Sequence, residues 1–168
     1  EVNRLDKDTT GCIVVAKSQE ALVRLQAQIQ QRIASREYLA VVHGVPQGDS
    51  GTILGAIGRH PVDRKKYAVV SEESGRYART HWTLQERLGD YSLLRFKLDT
   101  GRTHQIRVHA AYAGHPVAGD PKYGDQEFNE QMREFGLERM FLHASSLSFT
   151  WPDRGTEFSV NAPLPSEL

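Results

Sequence analysis

Two short segments of this chain concentrate side chains able to do chemistry. Arg4-Leu5-Asp6-Lys7-Asp8-Thr9-Thr10-Gly11 places two carboxylates, two cations, two hydroxyls and a glycine in eight residues. Held by a rigid turn at a strand edge, one such aspartate can act as nucleophile or base. The same composition also builds an Asx or ST turn whose oxygens only bond the local backbone. Thr100-Gly101-Arg102-Thr103-His104-Gln105-Ile106-Arg107-Val108-His109 carries Arg102, His104, Arg107 and His109 at an expected helix start. Guanidinium forks and backbone N–H groups there can hold an anion; the plainer alternative is a capped, exposed helix with solvated arginines. His104 and His109 stand five apart and do not share a helix face as i, i+4 ligands would, and Cys12 is the one cysteine, so no metal site is expected.

Two other segments have a distinct character. Gly119-Asp120-Pro121-Lys122-Tyr123-Gly124 is a turn by composition, expected to hold neighbouring helices and to take no catalytic part. Arg59 to Lys66 holds four cations, Arg59, Arg64, Lys65 and Lys66, against the single acid Asp63. It reads either as a solvated loop or as a face that meets phosphates. No triphosphate loop, nucleophile elbow or dinucleotide fingerprint is present, which disfavours those chemistries.

The elements that must position these segments follow from periodicity. Cys12 to Ala16 is a nearly continuous apolar run, expected as a strand buried on both faces. Ser18 offers an N-cap, and Leu22, Leu25, Ile29 and Ile33 recur at helical spacing. From Arg36 to Gly44 the period becomes two, with Tyr38, Ala40 and Val42 on one face and Leu39 and Val41 on the other. Pro46 to Gly58 is a glycine-rich loop with short strand pieces. Ala78 to Leu84 and Tyr91 to Leu98 form a hairpin turned at Gly89-Asp90. Thr103 is placed to cap a helix from about His104, which Gly114 and Pro116 end. A further helix is expected over Glu127 to Phe135, stopped by Gly136, before strands at Phe141 to Thr150 and Glu157 to Val160. Hairpins mixed with three helices predict an α+β fold with a largely antiparallel mixed sheet and flanking helices.

The chain has 168 residues and no repeat, which suits a single domain over 1–168. Its 21 Lys+Arg balance 21 Asp+Glu. That balance argues against a uniformly basic coat for nucleic acid but leaves room for a local basic face, because six acids gather against three bases between Asp120 and Arg139. No apolar run approaches the roughly 18 residues of a membrane span. A lone cysteine fits a reducing compartment, the cytoplasm.

Taken together, these segments resemble the RluA-type pseudouridine synthases, which include bacterial enzymes acting on large-subunit ribosomal RNA. The resemblance rests on Arg4-Leu5-Asp6-Lys7-Asp8-Thr9-Thr10-Gly11, Arg36-Glu37-Tyr38, Arg59-His60-Pro61, Gly101 to His109, Gly114-His115-Pro116, Gly119-Asp120 and Leu142-His143-Ala144, in the family's order across nearly the whole chain. It implies a central catalytic cleft in which Asp6 is the catalytic aspartate, Tyr38 the active-site tyrosine, and Arg107 the arginine paired with the aspartate. It further implies that Leu142 packs near the target base and that Arg4 fills the space left by a flipped nucleotide. Arg102 is implied as a positioning or phosphate contact, and Arg64, Lys65 and Lys66 are expected on substrate phosphates. Asn3 departs from the pattern, standing where His is common. The chain begins almost at the catalytic loop, so the preceding strand and any S4-like RNA-binding domain are expected to lie outside it.

The implied reaction breaks a uridine N-glycosidic bond, rotates the base and rejoins it through C5, so it needs neither cofactor nor metal. Asp6 would attack or stabilise C1′, remove a proton to make a glycal, or attack the uracil ring. Water must be kept out, a task for Leu142 and the Tyr38 ring, with the phenol as a possible proton acceptor. Asp8, the only candidate for a hydrolase's second carboxylate, is expected to make local hydrogen bonds. The expected partner is RNA, ribosomal first and transfer RNA second, bound by a monomer. An RNA-binding or ribosome-assembly factor that kept the fold, and a nucleoside hydrolase releasing uracil, are the rival readings.

Overall fold

The structure, a computed structural model, describes residues 5–31, 34–151 and 155–166. Helix α1 (Gln19–Gln30) starts where Ser18 Oγ accepts the Ala21 N–H at 3.1 Å, and it buries Leu25. Ile33 lies outside the described residues. Strand β2 (Ser35–His43) keeps the two-residue period. Tyr38, Ala40 and Val42 pack with Ile106 and Ala110 on one side of the sheet. Val41 packs with Phe128 and Met132 on the other.

Around β2 the chain adds β3 (Ser50–Leu54), β6 (Arg79–Arg87), β7 (Tyr91–Leu98), β8 (Leu142–Thr150) and β9 (Glu157–Asn161). With β1 (Thr10–Gly11) they form a seven-stranded sheet in the order β1-β8-β2-β7-β6-β3, with β9 also on β8. Every pairing is antiparallel except β1 with β8. The fold is therefore α+β with a mostly antiparallel sheet, as its alternation pattern predicts. Its centre holds Leu94, Phe96, Leu98, Leu142 and Ala144 beside β2. Burying each large apolar side chain contributes about 1.5–3 kcal/mol.

Between β2 and β8 the register shifts, Glu37 facing Ser146 and Tyr38 facing Ala144, so Ser145 is an extra residue on β8. A bulge reverses side-chain alternation beyond it. Leu147 and Phe149 thus remain buried on the far side of the bulge from Leu142 and Ala144.

Two expectations fail locally. Cys12 to Ala16 is not a strand: pairing with β8 ends after Gly11 with the Cys12 N–H on the Ala144 carbonyl, at 2.9 Å, and Ile13 and Val15 are 43% and 60% exposed. The run cannot continue along β8, because from Ser146 onward that edge is occupied by β9. Nor does Thr103 cap the next helix, α2 (Gln105–Tyr112); the N-cap position belongs to His104, at φ 57° and with no side-chain cap bond. Gln105 secures this end instead. Its Oε1 accepts from Thr100 Oγ1 and Arg102 N–H, and its Nε2 donates to the Arg79 carbonyl and Thr80 Oγ1.

Helix α3 (Gln126–Glu134) is capped by the Asp125 carboxylate, which accepts the Phe128 N–H at 2.8 Å. A separate ribbon of β4 (Ile57–Arg59) and β5 (Tyr67–Val69) packs on α2 through Ile57, Val108 and Tyr123, and its connecting turn carries the basic segment. No helix among the described residues is long and apolar enough to cross a membrane.

Candidate active site

Asp6 is delivered by a loop pinned to β8. Thr9 N–H closes a turn onto the Asp6 carbonyl at 3.0 Å, and Thr10 Oγ1 lies 2.7 Å from His143 Nδ1. His143, fully buried, donates from Nε2 to the Ala162 carbonyl at 2.8 Å. At Gly11, φ is 113° and an added Cβ would fall 2.1 Å from the Ala144 carbonyl oxygen. Only glycine lets the loop approach β8 that closely. The short β1 thereby anchors the loop, and Asp6 comes to line a cavity together with Leu142 of β8.

Behind Asp6 stands Arg107, on the first turn of α2. Its Nη1 is 3.5 Å from Asp6 Oδ2. Its Nε and Nη2 form a bidentate pair with Asp120 at 2.8 and 2.9 Å. The planar fork is thus spent on Asp120, and Asp6 receives one long contact rather than the close pairing expected for it. Burial alone would raise the Asp120 pKa, but Arg107 and the backbone N–H groups of Lys122 and Tyr123 hold it below the ordinary carboxylate value. Burial alone would lower the Arg107 pKa, yet Asp120 and then Asp6 keep it raised. The guanidinium also lies over the Tyr123 ring, 5.0 Å from its centroid.

The cavity measures about 430 Å³, within the roughly 300–1,000 Å³ typical of small-ligand sites. Tyr38 and Leu142, 7% and 3% exposed, supply aromatic and apolar walls. Burial raises the Tyr38 pKa, against Arg36 and with Asp6, so the ring carries a neutral phenol at neutral pH. Arg102 also lines the cavity, its Nε donating to the Tyr77 carbonyl at 2.7 Å. His104 lines it too, with Nδ1 2.7 Å from Tyr123 Oη, and burial lowers its pKa.

The structure therefore brings Asp6, Tyr38, Leu142 and Arg102 to one cavity, with Arg107 touching Asp6. Arg64, Lys65 and Lys66 lie outside it, in the turn between β4 and β5, with Arg64 and Lys65 exposed. Lys122 Nζ donates to the Lys65 carbonyl at 3.3 Å, tying that turn to the one holding Asp120. Arg4 falls outside the described residues. Asp8 is exposed, at φ 70°, and its carbonyl accepts from Arg139 at 3.4 Å. It does not line the cavity.

Of the four basic groups that could hold an anion at the α2 start, two are otherwise engaged. Arg107 is neutralised by Asp120. His109 is buried between Thr80 Oγ1 and the Gly55 carbonyl, both at 2.8 Å, and burial lowers its pKa. His104 and His109 do point to different partners, as their spacing requires. Among the described residues no three of His, Cys, Asp and Glu gather as metal ligands do.

Sequence reasoning missed Asp120. Its turn does link helices as expected, through Arg107 on α2 and Asn129 on α3, whose Nδ2 donates to the Asp120 carbonyl. What no local signal disclosed is that its carboxylate, 1% exposed, orients the arginine behind Asp6. Arg36 and Arg76, which also line the cavity, were likewise unmarked as site residues.

Comparison with known proteins gives the family and the fold. The family described as RNA pseudouridylate synthase matches residues 1–112. An uncharacterized RNA pseudouridine synthase of Synechocystis is 46% identical over 168 residues, covering 99% of this chain and 50% of that protein. The ribosomal large subunit pseudouridine synthase C of Pasteurella multocida is 41% identical over 167 residues, covering 99% of this chain and 51% of its own. The chain spans about half the length of the curated relatives it matches. Human RNA pseudouridylate synthase domain containing 1 superposes with a TM-score of 0.79 at 31% identity, over 98% of this chain and 68% of that one. Human RNA pseudouridylate synthase domain containing 4, at 24% identity and a TM-score of 0.78, shares the fold. Because the family pattern runs through the segments that carry Asp6, Tyr38 and Arg107, and the relatives extend it to β8 and beyond, this chain belongs to the RNA pseudouridylate synthase family, in its RluA-type branch.

Proposed function

We propose that the full-length protein isomerises specific uridines to pseudouridine in RNA, with large-subunit ribosomal RNA as substrate and Asp6 as the catalytic carboxylate. The observation that carries this reading is the meeting of Asp6, Tyr38 and Leu142 at one cavity, with Arg107 held behind Asp6 by Asp120. The substrate is supported by relatives about 40% identical that are named ribosomal large subunit pseudouridine synthases.

The reaction is balanced within the nucleotide. The C1′–N1 bond breaks, a C1′–C5 bond forms, C5 loses a proton and N1 gains one, so no oxidant, reductant or second substrate enters. Asp6 acts on C1′, by attack or by deprotonating the sugar, or attacks the uracil ring. Arg107, positioned by Asp120, sets the carboxylate's direction. Leu142 and the Tyr38 ring stack on the detached uracil and exclude water, which would otherwise leave an abasic site. Extruding the target base costs a few kcal/mol, offset by contacts of Arg102, Arg64, Lys65 and Lys66 with phosphates. A ribosomal RNA substrate implies a cytoplasmic enzyme.

The test incubates the full-length protein and its Asp6→Asn variant with unmodified ribosomal RNA and maps pseudouridine at nucleotide resolution. Site-specific product from the wild type and none from the variant is expected. Equal product from both would remove Asp6 from the mechanism. Binding without isomerisation would indicate an RNA-binding factor, and free uracil a hydrolase.

A further inference from the structure

Arg36 is the most unusual cation of the cavity. It sits on the Tyr38 face of β2, two residues earlier, and is 6% exposed. Its Nε has no hydrogen-bond partner among the described residues. Its Nη1 lies where a side chain at position 101 would begin, 2.5 Å from a Cβ built on Gly101. The glycine of the Gly101-Arg102-Thr103-His104 segment thus makes room for the guanidinium.

Two more guanidinium groups line the same cavity, those of Arg76 and Arg102. Arg102 feels both of the others: burial first, then the charges of Arg76 and Arg36, lower its pKa. The charge of Asp99 favours the Arg36 cation but is shared with other groups. Asp6 faces Arg107, and Asp99 takes His81 at 2.7 Å and Arg79 at 3.4 Å. A buried guanidinium with an unmet donor, beside two like charges, is costly unless an anion completes it. Neutral uracil carbonyls do not call for three positive charges, whereas a phosphodiester accepts forked donors from several arginines at once.

We propose that Arg36, Arg76 and Arg102 form a cradle for one of the two phosphodiesters flanking the target uridine, gripping the extruded nucleotide by its backbone while Tyr38 and Leu142 hold the base. This assignment rests on the uridine-isomerase reading. Arg36 is then a substrate-binding residue, and Gly101 leaves the space that its Nη1 occupies.

The test uses the full-length protein and RNA oligonucleotides bearing the mapped target uridine, with a neutral methylphosphonate replacing either the 5′ or the 3′ phosphodiester. Wild-type binding is expected to weaken about tenfold or more at one of the two positions, the scale of a charged hydrogen bond. Arg36→Gln weakens binding to unmodified RNA to a similar extent and loses most of the sensitivity to the methylphosphonate there. Arg36→Lys recovers only part of the loss. Arg76→Gln, at an exposed position on the rim, shows the same coupling in smaller measure without disturbing the core.

Penalties that simply multiply, or indifference of the wild type to both methylphosphonates, would overturn the cradle while leaving the isomerase reading intact. A second arm needs no turnover, and so separates failure of the cradle from failure of that reading. Uridine 5′- and 3′-monophosphate compete with RNA binding; one outcompetes both uridine and inorganic phosphate in the wild type, and that advantage disappears in Arg36→Gln. Competition by inorganic phosphate equal to that by both monophosphates would mean a free-phosphate site and would also overturn the proposal.

Discussion

Arg107 gives its bidentate fork to Asp120, at 2.8 and 2.9 Å, and only a single 3.5 Å contact to Asp6. The side chains of the first pair are 7% and 0% exposed. The arginine behind the reactive carboxylate is therefore held from the rear, and its aim does not depend on Asp6.

Asp120→Asn is expected to destabilise the fold by about 3–5 kcal/mol, because it leaves a buried guanidinium without its counter-charge. Folding lowers the Asp120 pKa. Its contribution is therefore complete above the unfolded-chain value of about 3.9 and is lost as pH falls through the lower folded value. Urea unfolding of the wild type should show stability falling with acid over that window, and the variant should show a flatter profile there. A variant as stable as the wild type at pH 7, with the same acid slope, would contradict the pairing.

Tyr38→Phe keeps the ring and loses the hydroxyl. Because burial holds that group as a phenol, the substitution is expected to reduce kcat/KM by less than about tenfold, whereas loss of an essential proton acceptor costs about 10²–10⁴. Tyr38→Ala removes the wall itself and is expected to release uracil and leave abasic sites. Single-turnover rates for both variants, with uracil measured alongside pseudouridine, separate the two roles.

Lys65→Ala combined with Lys66→Ala removes two cations from the turn between β4 and β5. If both meet phosphates, the slope of log K against log[salt] falls by about 1.5, with weakening spread evenly over RNA sequences. Binding measured from low to high salt gives that slope directly. An unchanged value would make the turn a solvated loop.

Local pattern carried much of this molecule. The alternation in β2 assigned Tyr38, Ala40 and Val42 to one face, and the structure packs them together against α2. Ser18, Gly89 and Gly136 mark a helix start, a hairpin turn and a helix end, because capping and positive φ are properties of a few adjacent residues. The Asp6 loop, Tyr38, Leu142 and Arg102 were also recognisable, each from its own short segment, and they meet at one cavity.

What escaped depends on neighbours remote in sequence. Cys12 to Ala16 has a strand's composition, but a strand also needs an available edge, and the β8 edge beyond Ala144 belongs to β9. Thr103 is a good cap by type, yet Gln105 takes over the bonding of that helix end because Thr80, Arg79 and Thr100 converge on its amide. Asp120 lies thirteen residues beyond Arg107, in a turn with ordinary turn composition. Arg36 looks like any strand arginine until Gly101 and the cavity wall close around it. Element type and reactive-residue identity are set by short-range sterics and chemistry, which residue order records directly. Pairing between buried charges and competition for strand edges are settled by packing in three dimensions, where burial makes an unmatched charge or an unpaired backbone group too costly to leave.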